Sequence, residues 1–527
     1  MKKYYFFTLF YILVSVSLMA QHQNIMLPYS NSVYSVDEPT IFINPRNTDE
    51  IVAGSNINNV FVSNDAGYTW TANVLVSNAH GVWGDPVTII DTAGNYLFFH
   101  LSNPPSGSWI DRIVCQKSTD KGLTWSDGNY MGLNGTKAQD KEWAVVDRTN
   151  NNIYVTWTQF DVYGSSNPDC KSIIRFSKST DAGDSWSNAV KINITDGDCI
   201  DSDNTVEGAV PAVGPNGEIY VTWAGPNGLV FNRSLDQGET WLDYEIPVSD
   251  MPGGWDFSIP GIMRCNGFAI TVCDLSGGPH HGTIYVNWSD QRNGLDDTDV
   301  WLVKSTNGGN TWTEPVRVND DPPGRHQFFT WMAIDQVTGY LWFVYYDRRN
   351  YTNNMTEVFM AVSTDGGETF INFPVSEEPF LPQANIFFGD YNNVSAHDNV
   401  VRPIWTRLHG GQKSIWTAII DVDAVLVATG DAGQELQPVA TLNPNYPNPF
   451  IETTVIAFRL RQTGNVTLKV YDVFGKEITT LINHEQRGAG KYIEHFDATR
   501  YNLAPGVYYF ALTTEGMNLK QKMMLVR

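Results

Sequence analysis

Three observations in the 527-residue sequence predict an all-β chain of radially repeated sheets followed by a small β-sandwich. One short phrase recurs six times, strand-like runs pair off ahead of each copy, and the pattern changes character after about residue 440. Composition agrees, because 44 Gly, 26 Pro and 13 % aromatic residues suit short strands joined by many turns. The length leaves room for one large repeated domain and one small one.

The recurrent phrase is SNDAGYTW at 63–70. It returns as STDKGLTW at 118–125, STDAGDSW at 179–186, SLDQGETW at 234–241, STNGGNTW at 305–312 and STDGGETF at 363–370. Asn307 replaces Asp in the fifth copy and Phe370 replaces Trp in the last. Each copy suits a hairpin corner: the Asp carboxylate can accept backbone N–H groups across the turn, Gly supplies positive φ, and the aromatic packs beneath. Six copies at this spacing read as a radial or solenoidal array. At these residues the chain resembles the Asp-box (BNR) repeats of the sialidase-like β-propellers. The resemblance implies a propeller; in that family the boxes are structural and lie away from the active site.

Upstream of each corner two further strands can be read. The first runs are PTIFINP, PVTIID, WAVVD, VPAVGP, SIPGIM, WMAID and NVSAHD; the second are EIVAGSN, YLFFHLS, IYVTWTQ, IYVTWAG, IYVNWSD, LWFVYYD and VVRPIWTR. Seven pairs favour seven blades over the six of true sialidases, with six as the alternative. The seventh pair ends at SIWTAIID without a corner, so its outer strand is expected from the N-terminus, around Asn24–Ser30, closing the ring.

The remaining segments divide the chain. Residues 1–20 carry Lys2-Lys3, an apolar run and Met19-Ala20, the pattern of a secretory signal peptide. The propeller is expected over 21–425 and a linker over 426–442. From Asn443 onward alternating strands predict a small β-sandwich. There NYPNPF, YNLAPGVYYF and the basic, apolar tail resemble the type A C-terminal sorting domain of Bacteroidetes type IX secretion. The resemblance implies type IX machinery as a partner and a secreted or outer-membrane surface location, reached through the periplasm. A carbohydrate-binding sandwich is the other reading.

A net charge of −23 argues against nucleic acid or anionic lipid as partners, and no later stretch is apolar enough to span a bilayer. Of the five cysteines, Cys170–Cys199 and Cys265–Cys273 are candidate disulfides that would leave Cys115 free; five buried thiols are the alternative.

Loop lengths point to one face. First-to-second-strand turns are short and third-to-fourth turns are the corners, whereas Ser102–Arg112, Gln159–Lys171, Asp290–Asp299 and Asp347–Glu357 are long and share the opposite face. The acids Glu38, Asp85, Glu142, Glu207, Asp256 and Asp390 fall at or just before the innermost strands, where they would converge on the channel mouth. Asp85, Glu142, Glu207 and Asp256 are the catalytic candidates, against strand-entry capping as the structural alternative. Arg292, Arg349 and Arg407 are candidates to clamp a sugar carboxylate, and Tyr346 (or its neighbour Tyr345) for the tyrosine nucleophile that the family resemblance implies. The Arg-Ile-Pro motif of sialidases is absent from DEPTIFINPRN, which argues against a true exo-sialidase and leaves inter-blade ties as the other role for these arginines. Trp83 and Trp331 are candidate sugar-stacking residues, and His80, His280, His281 and His326 candidate bases for a lyase. Asp196, Asp198, Asp201 and Asp203 could supply a Ca²⁺ shell, or form a solvated acidic loop.

The expected function is a secreted, glycan-active protein, a sialidase-like glycoside hydrolase acting on an acidic or complex carbohydrate. A non-catalytic glycan- or protein-binding propeller and a propeller-fold polysaccharide lyase are the alternatives.

Overall fold

The structure is a computed structural model that describes residues 22–427, 440–442, 445, 447–460, 463–488, 490–514 and 517–526. The expected leader and most of the expected linker lie outside the described residues. The chain separates into two compact units that divide between residues 425 and 426.

The first unit is a seven-bladed propeller built from seven four-stranded antiparallel sheets. Its innermost strands are Thr40–Ile43, Val87–Ile90, Ala138–Val146, Glu207–Val213, Ile270–Cys273, Gln327–Ile334 and Asn393–His397. Each packs on the next, and the last packs on the first. The second strands explain why the blades stack. Ile153–Phe160, Ile219–Gly225 and Ile284–Asp290 are buried at every residue, because neighbouring blades cover both faces of the sheet. Such strands read as nearly continuous apolar runs rather than alternating ones. Trp157, Trp223 and Trp288, at equivalent places in IYVTW and IYVNW, are fully buried in that stack.

The seventh blade closes the ring as expected. Gln23–Met26 pairs antiparallel with Gln412–Ile419, Gln23 opposite Ile419 and Met26 opposite Trp416, and so becomes that blade's outermost strand. Asn24 fixes it further, donating its amide to Val375 O (2.8 Å) and accepting the Glu377 N–H (3.0 Å).

The repeated corners have one geometry. Ser63 Oγ accepts the Gly67 N–H (2.9 Å) and donates to Asp65 Oδ1 (2.8 Å), while Asp65 accepts the Thr69 N–H (2.8 Å) and hydroxyl (2.6 Å). The same set recurs around Asp120, Asp181, Asp236 and Asp365; in the fifth corner Asn307 accepts the Thr311 N–H. The closing aromatics pack edge-on, Trp125 on Phe98 and Trp241 on Phe176 among them.

The fifth blade corrects the strand reading. SIPGIM is not its inner strand, which is Ile270–Cys273; the preceding stretch makes an extra hairpin, Asp256–Phe257 with Cys265–Asn266. That insertion moved the true strand past the apolar run that imitated it.

The second unit is a sandwich. A three-stranded sheet, Ala440–Leu442, Thr453–Leu460 and Gly490–Asp497, is joined by a four-stranded sheet of Glu477–Arg487, Gly464–Tyr471, Gly506–Thr514 and Met517–Leu525. Alternate residues Val466, Leu468 and Val470 point into one core with Ile456, Phe496 and Phe510. Phe450 of NYPNPF exchanges backbone bonds with Met524 and Val526, which ties the two ends of the unit together.

Candidate functional site

The inner strands start with a repeated distortion. Glu38, Asp85, Lys141, Gly208 and Phe329 all have positive φ (49°, 52°, 52°, 70° and 49°). Each precedes by two residues the one paired with the fourth position of the second strand: Thr40 with Gly54, Val87 with Phe99, Trp143 with Thr156, Val210 with Thr222 and Trp331 with Val344. In the third, fourth and sixth blades this position falls in a register shift. Such bulges re-aim a side chain, and here they gather charges at the mouth of the channel. The alignment also corrects the sequence reading: the residue equivalent to Glu38 and Asp85 is Lys141, and Glu142 lies one place further on.

At the mouth lies a cavity of about 350 Å³ lined by residues that include Asp37, Glu38, Asp85, Asp140, Lys141, Arg264 and Lys413. Lys141 is its hub. Its Nζ stands 2.6 Å from Asp390, 3.2 Å from Asp85 and 3.8 Å from Glu38. Arg264 grips Asp390 through both its Nε (2.8 Å) and its Nη2, and its Nη1 lies 3.6 Å from Asp201. Lys413 pairs with Asp37 and donates to Phe387 O (2.9 Å). Asn56 bridges two blades: its side chain donates to Glu38 and accepts the Asp85 N–H (2.8 Å). Gly84 makes room for that amide, since a Cβ there would fall 2.4 Å from Asn56 Oδ1.

These surroundings pull the acids apart. Burial, with Asp85 nearby, pushes the Asp140 carboxyl up to about 8. Burial also opposes the charge of Asp390, but Lys141 and Arg264 outweigh it and hold that carboxyl at about 2. Burial raises Glu38 well above the usual carboxylate range, against the pull of Lys141. For Lys141 itself, burial disfavours the ammonium, yet Asp390, Asp85 and Glu38 more than offset this and keep it charged.

One wall of the cavity is aromatic. Trp83 meets Trp109 edge-on with centroids 6.2 Å apart, and Trp109 meets Tyr163 at 5.9 Å. Tyr163 donates its hydroxyl to Asp201 (2.5 Å), and the Cys170–Cys199 disulfide joins the two loops that carry this pair. The channel narrows on a second aromatic group. Trp143, Trp331 and Tyr391, from three blades, pack with Trp143 and Trp331 centroids 4.3 Å apart.

Several expected site residues lie elsewhere. Glu142 and Glu207 are buried with neither carboxyl oxygen hydrogen-bonded, and burial lifts both well above the usual range; neither lines the cavity. Asp256 sits exposed on the extra hairpin, beside a small adjoining cavity of about 30 Å³. Tyr346 is buried and donates to Thr406 O (2.6 Å), while Tyr345 donates to Asn372, so neither hydroxyl reaches the cavity. The three arginines are ties in separate places: Arg292 on Asp290 (2.6 Å), Arg349 on Asp347 (2.8 Å) and Asp320 (2.5 Å), Arg407 on Glu378 (3.0 Å). Each also lies over an aromatic ring, of Trp301, Phe359 and Trp416 respectively. Trp83 lines the cavity, whereas Trp331 belongs to the channel group.

His280 and His281 fall in the 274–283 turn on the corner face, with Gly366 against His280. His326 bonds Thr298 (3.0 Å), and burial lowers it to about 4. The four aspartates considered for Ca²⁺ have protein partners. Asp196 pairs with Lys191, Asp198 accepts from Ile200 and Thr205, Asp201 accepts from Tyr163, and Asp203 accepts the Asp256 N–H. Among the described residues no group of three or more His, Cys, Asp or Glu side chains could hold a metal ion. Cys115, Cys265 and Cys273 are buried thiols.

Sequence reasoning missed Asp140, Lys141, Arg264, Lys413, Trp109 and Tyr163. No fixed count back from the second strand finds Lys141, because Glu38, Asp85 and Lys141 lie 13, 11 and 12 residues before Ile51, Tyr96 and Ile153, and only the strand pairing aligns them.

A family model described as a secretion system C-terminal sorting domain matches residues 445–526. The chain is accordingly delivered to the cell surface or the medium. No helix among the described residues is long and apolar enough to cross a membrane. No curated protein sequence matches the chain. Similar solved structures include the Hadza microbial sialidase Hz136 (15 % identity, 72 % of this chain and 75 % of that one, TM-score 0.42). They include also an α-L-arabinofuranosidase from Fusarium graminearum (13 %, 77 % and 98 %, 0.44) and the Trypanosoma rangeli sialidase (13 %, 97 % and 90 %, 0.40).

Proposed function

We propose that the protein is a glycoside hydrolase working at the cell surface or in the medium, with its active site in the cavity at the channel mouth. The observation that carries this reading is that Asp85 and Asp140 line one cavity together with the buried Lys141, whose ammonium stands 3.2 Å from Asp85. Asp140, kept protonated up to a pH of about 8, suits a general acid that delivers its proton to the leaving glycosidic oxygen. Asp85, whose Oδ2 lies 3.2 Å from Lys141 Nζ with no hydrogen bond aligned on it, is assigned as the partner carboxylate, base or nucleophile. The raised carboxyl of Asp140 suits the proton-donating role, and the ammonium facing Asp85 suits the other. The sialic-acid clamp finds no support, because Arg292, Arg349 and Arg407 are bonded apart from the cavity.

The test is Asp140→Asn, assayed on oligosaccharides and on 2,4-dinitrophenyl glycosides. Loss of the general acid should lower kcat on oligosaccharides by about 10²–10⁴-fold while largely sparing the activated aryl glycosides, which need no proton. The alkaline limb of wild-type activity, expected near pH 8 as Asp140 loses its proton, should disappear. Equal losses on both substrates would remove Asp140 from this role.

A further inference from the structure

We infer that the cavity takes an uncharged pyranose, stacked on Trp109, and excludes anionic sugars. This rests on the reading of the cavity as a glycan site and names its substrate class, against the acidic glycan that the sequence suggested.

Charge carries the first half of the argument. Three cations face the cavity, and each already has its counter-ion: Lys413 has Asp37, Lys141 has Asp390 and Asp85, and Arg264 has Asp390. The Nε/Nη2 edge of Arg264, which would grip a sugar carboxylate side-on, is occupied by Asp390, and its Nη1 stands 3.6 Å from Asp201. Four acids line the same space, Asp37, Glu38, Asp85 and Asp140, and the chain as a whole carries −23. An incoming anion would therefore have to break a buried pair, which costs free energy.

The aromatic wall carries the second half. Trp109 is 46 % exposed while its loop is held in place. Ser102 Oγ donates to Asp111 (3.0 Å), Ser108 N–H donates to the same carboxylate (3.1 Å), and Ile110 N–H donates to Ser102 O (2.9 Å). Trp83 and Tyr163 brace the ring edge-on. An exposed indole on a fixed loop, beside a cavity rich in hydrogen-bond acceptors, fits a sugar with apolar C–H faces and neutral hydroxyl donors.

The test is calorimetric titration of the mature chain with cellotriose, xylotriose, mannotriose and β-1,4-galactotriose, against 3′-sialyllactose and trigalacturonate. At least one neutral trisaccharide should bind, and Trp109→Ala should weaken it about tenfold at unchanged Tm, with Trp109→Phe between the two. Binding of a neutral probe that Trp109→Ala leaves unaltered, or of none of the four, overturns the inference. Binding or cleavage of either anionic probe in preference to the neutral ones also overturns it, and would leave the hydrolase reading standing. Trp109-dependent binding of a neutral trisaccharide without cleavage does the reverse, sustaining the substrate class and removing the hydrolase.

Discussion

Replacing Lys141 by Met tests whether the mouth of the channel is an ion-pair hub. The Lys141 side chain is 7 % exposed and faces Asp390 at 2.6 Å, Asp85 at 3.2 Å and Glu38 at 3.8 Å. Met keeps the length and removes the charge. Taking away one member of a buried pair costs about 3–5 kcal/mol, because the remaining charge is left uncompensated. Arg264 still holds Asp390, so the loss should fall at the lower end, about 3 kcal/mol at pH 7. Urea unfolding followed by tryptophan fluorescence is the suitable assay, since all 17 tryptophans precede residue 428 and report on the propeller alone. The pH dependence has a definite sign. Asp390 is lowered from 3.8 to about 2 in the folded protein, so its contribution is present above pH 4 and lost as pH falls towards 2. The deficit of the variant should therefore be full at pH 7 and narrow below pH 4. A loss under about 1 kcal/mol at pH 7, or one that widens on acidification, would refute the hub.

Two further outcomes follow from buried groups elsewhere in the ring. Glu142→Gln should leave turnover unchanged and become relatively more stabilising as pH rises above 4.5: the raised carboxyl holds its proton more tightly when folded, so wild-type stability declines with pH and the neutral amide escapes this. Thermal melts at pH 5, 7 and 9 measure it, and loss of turnover at unchanged Tm would restore Glu142 to the active site. Ser118→Ala leaves the buried Gly122 N–H without its 2.8 Å acceptor and should cost about 1–3 kcal/mol with kcat unaltered; a drop in kcat without a drop in stability would contradict a purely structural corner.

The fold was legible wherever the residue pattern has a single physical explanation. Ser-x-Asp-x-Gly specifies a corner because one side chain must accept N–H groups across it, and IYVTW specifies a strand covered on both faces. The fifth inner strand was misread because SIPGIM and ITVC are equally apolar, and only pairing with Ile284–Asp290 separates them. Part of the site was legible too: Glu38, Asp85 and Asp390 were placed at the mouth, and Trp83 beside it. Lys141 is hidden from a pattern of one charge sign, because what repeats is a backbone conformation. Arg264 lies in the extra hairpin of the fifth blade and Trp109 in a second-to-third-strand loop whose sequence does not repeat, so no repeat could register them. The arginines misled for a local reason. Arg292 and Arg349 are each two residues after an Asp that accepts both their backbone N–H and their guanidinium, so Asp-x-Arg closes on itself.

The conformation at the mouth supports a last prediction. Left-handed φ at a residue with a Cβ costs about 1–2 kcal/mol, and glycine avoids this cost. The fourth blade has Gly208 at the equivalent place, so the fold accepts glycine there. Glu38, Asp85, Lys141 and Phe329 retain side chains despite the strain, and at Asp85 and Lys141 the side chains form a buried ion pair. At Asp85 the backbone cost and the charge can be separated. Asp85→Ala and Asp85→Gly both lose the Lys141 contact, and both keep the N–H bond to Asn56 Oδ1. They differ in backbone strain, which Ala keeps and Gly relieves. The Gly variant should therefore be the more stable by about 1 kcal/mol, reduced somewhat by the greater freedom of glycine in the unfolded chain. Both should lose turnover to the same extent, since the carboxylate is gone from each. Stability comes from urea midpoints and turnover from the oligosaccharide assay. If Ala proved the more stable, the left-handed conformation would not be a cost that the side chain must justify. If the Gly variant kept its activity, Asp85 would leave the active site.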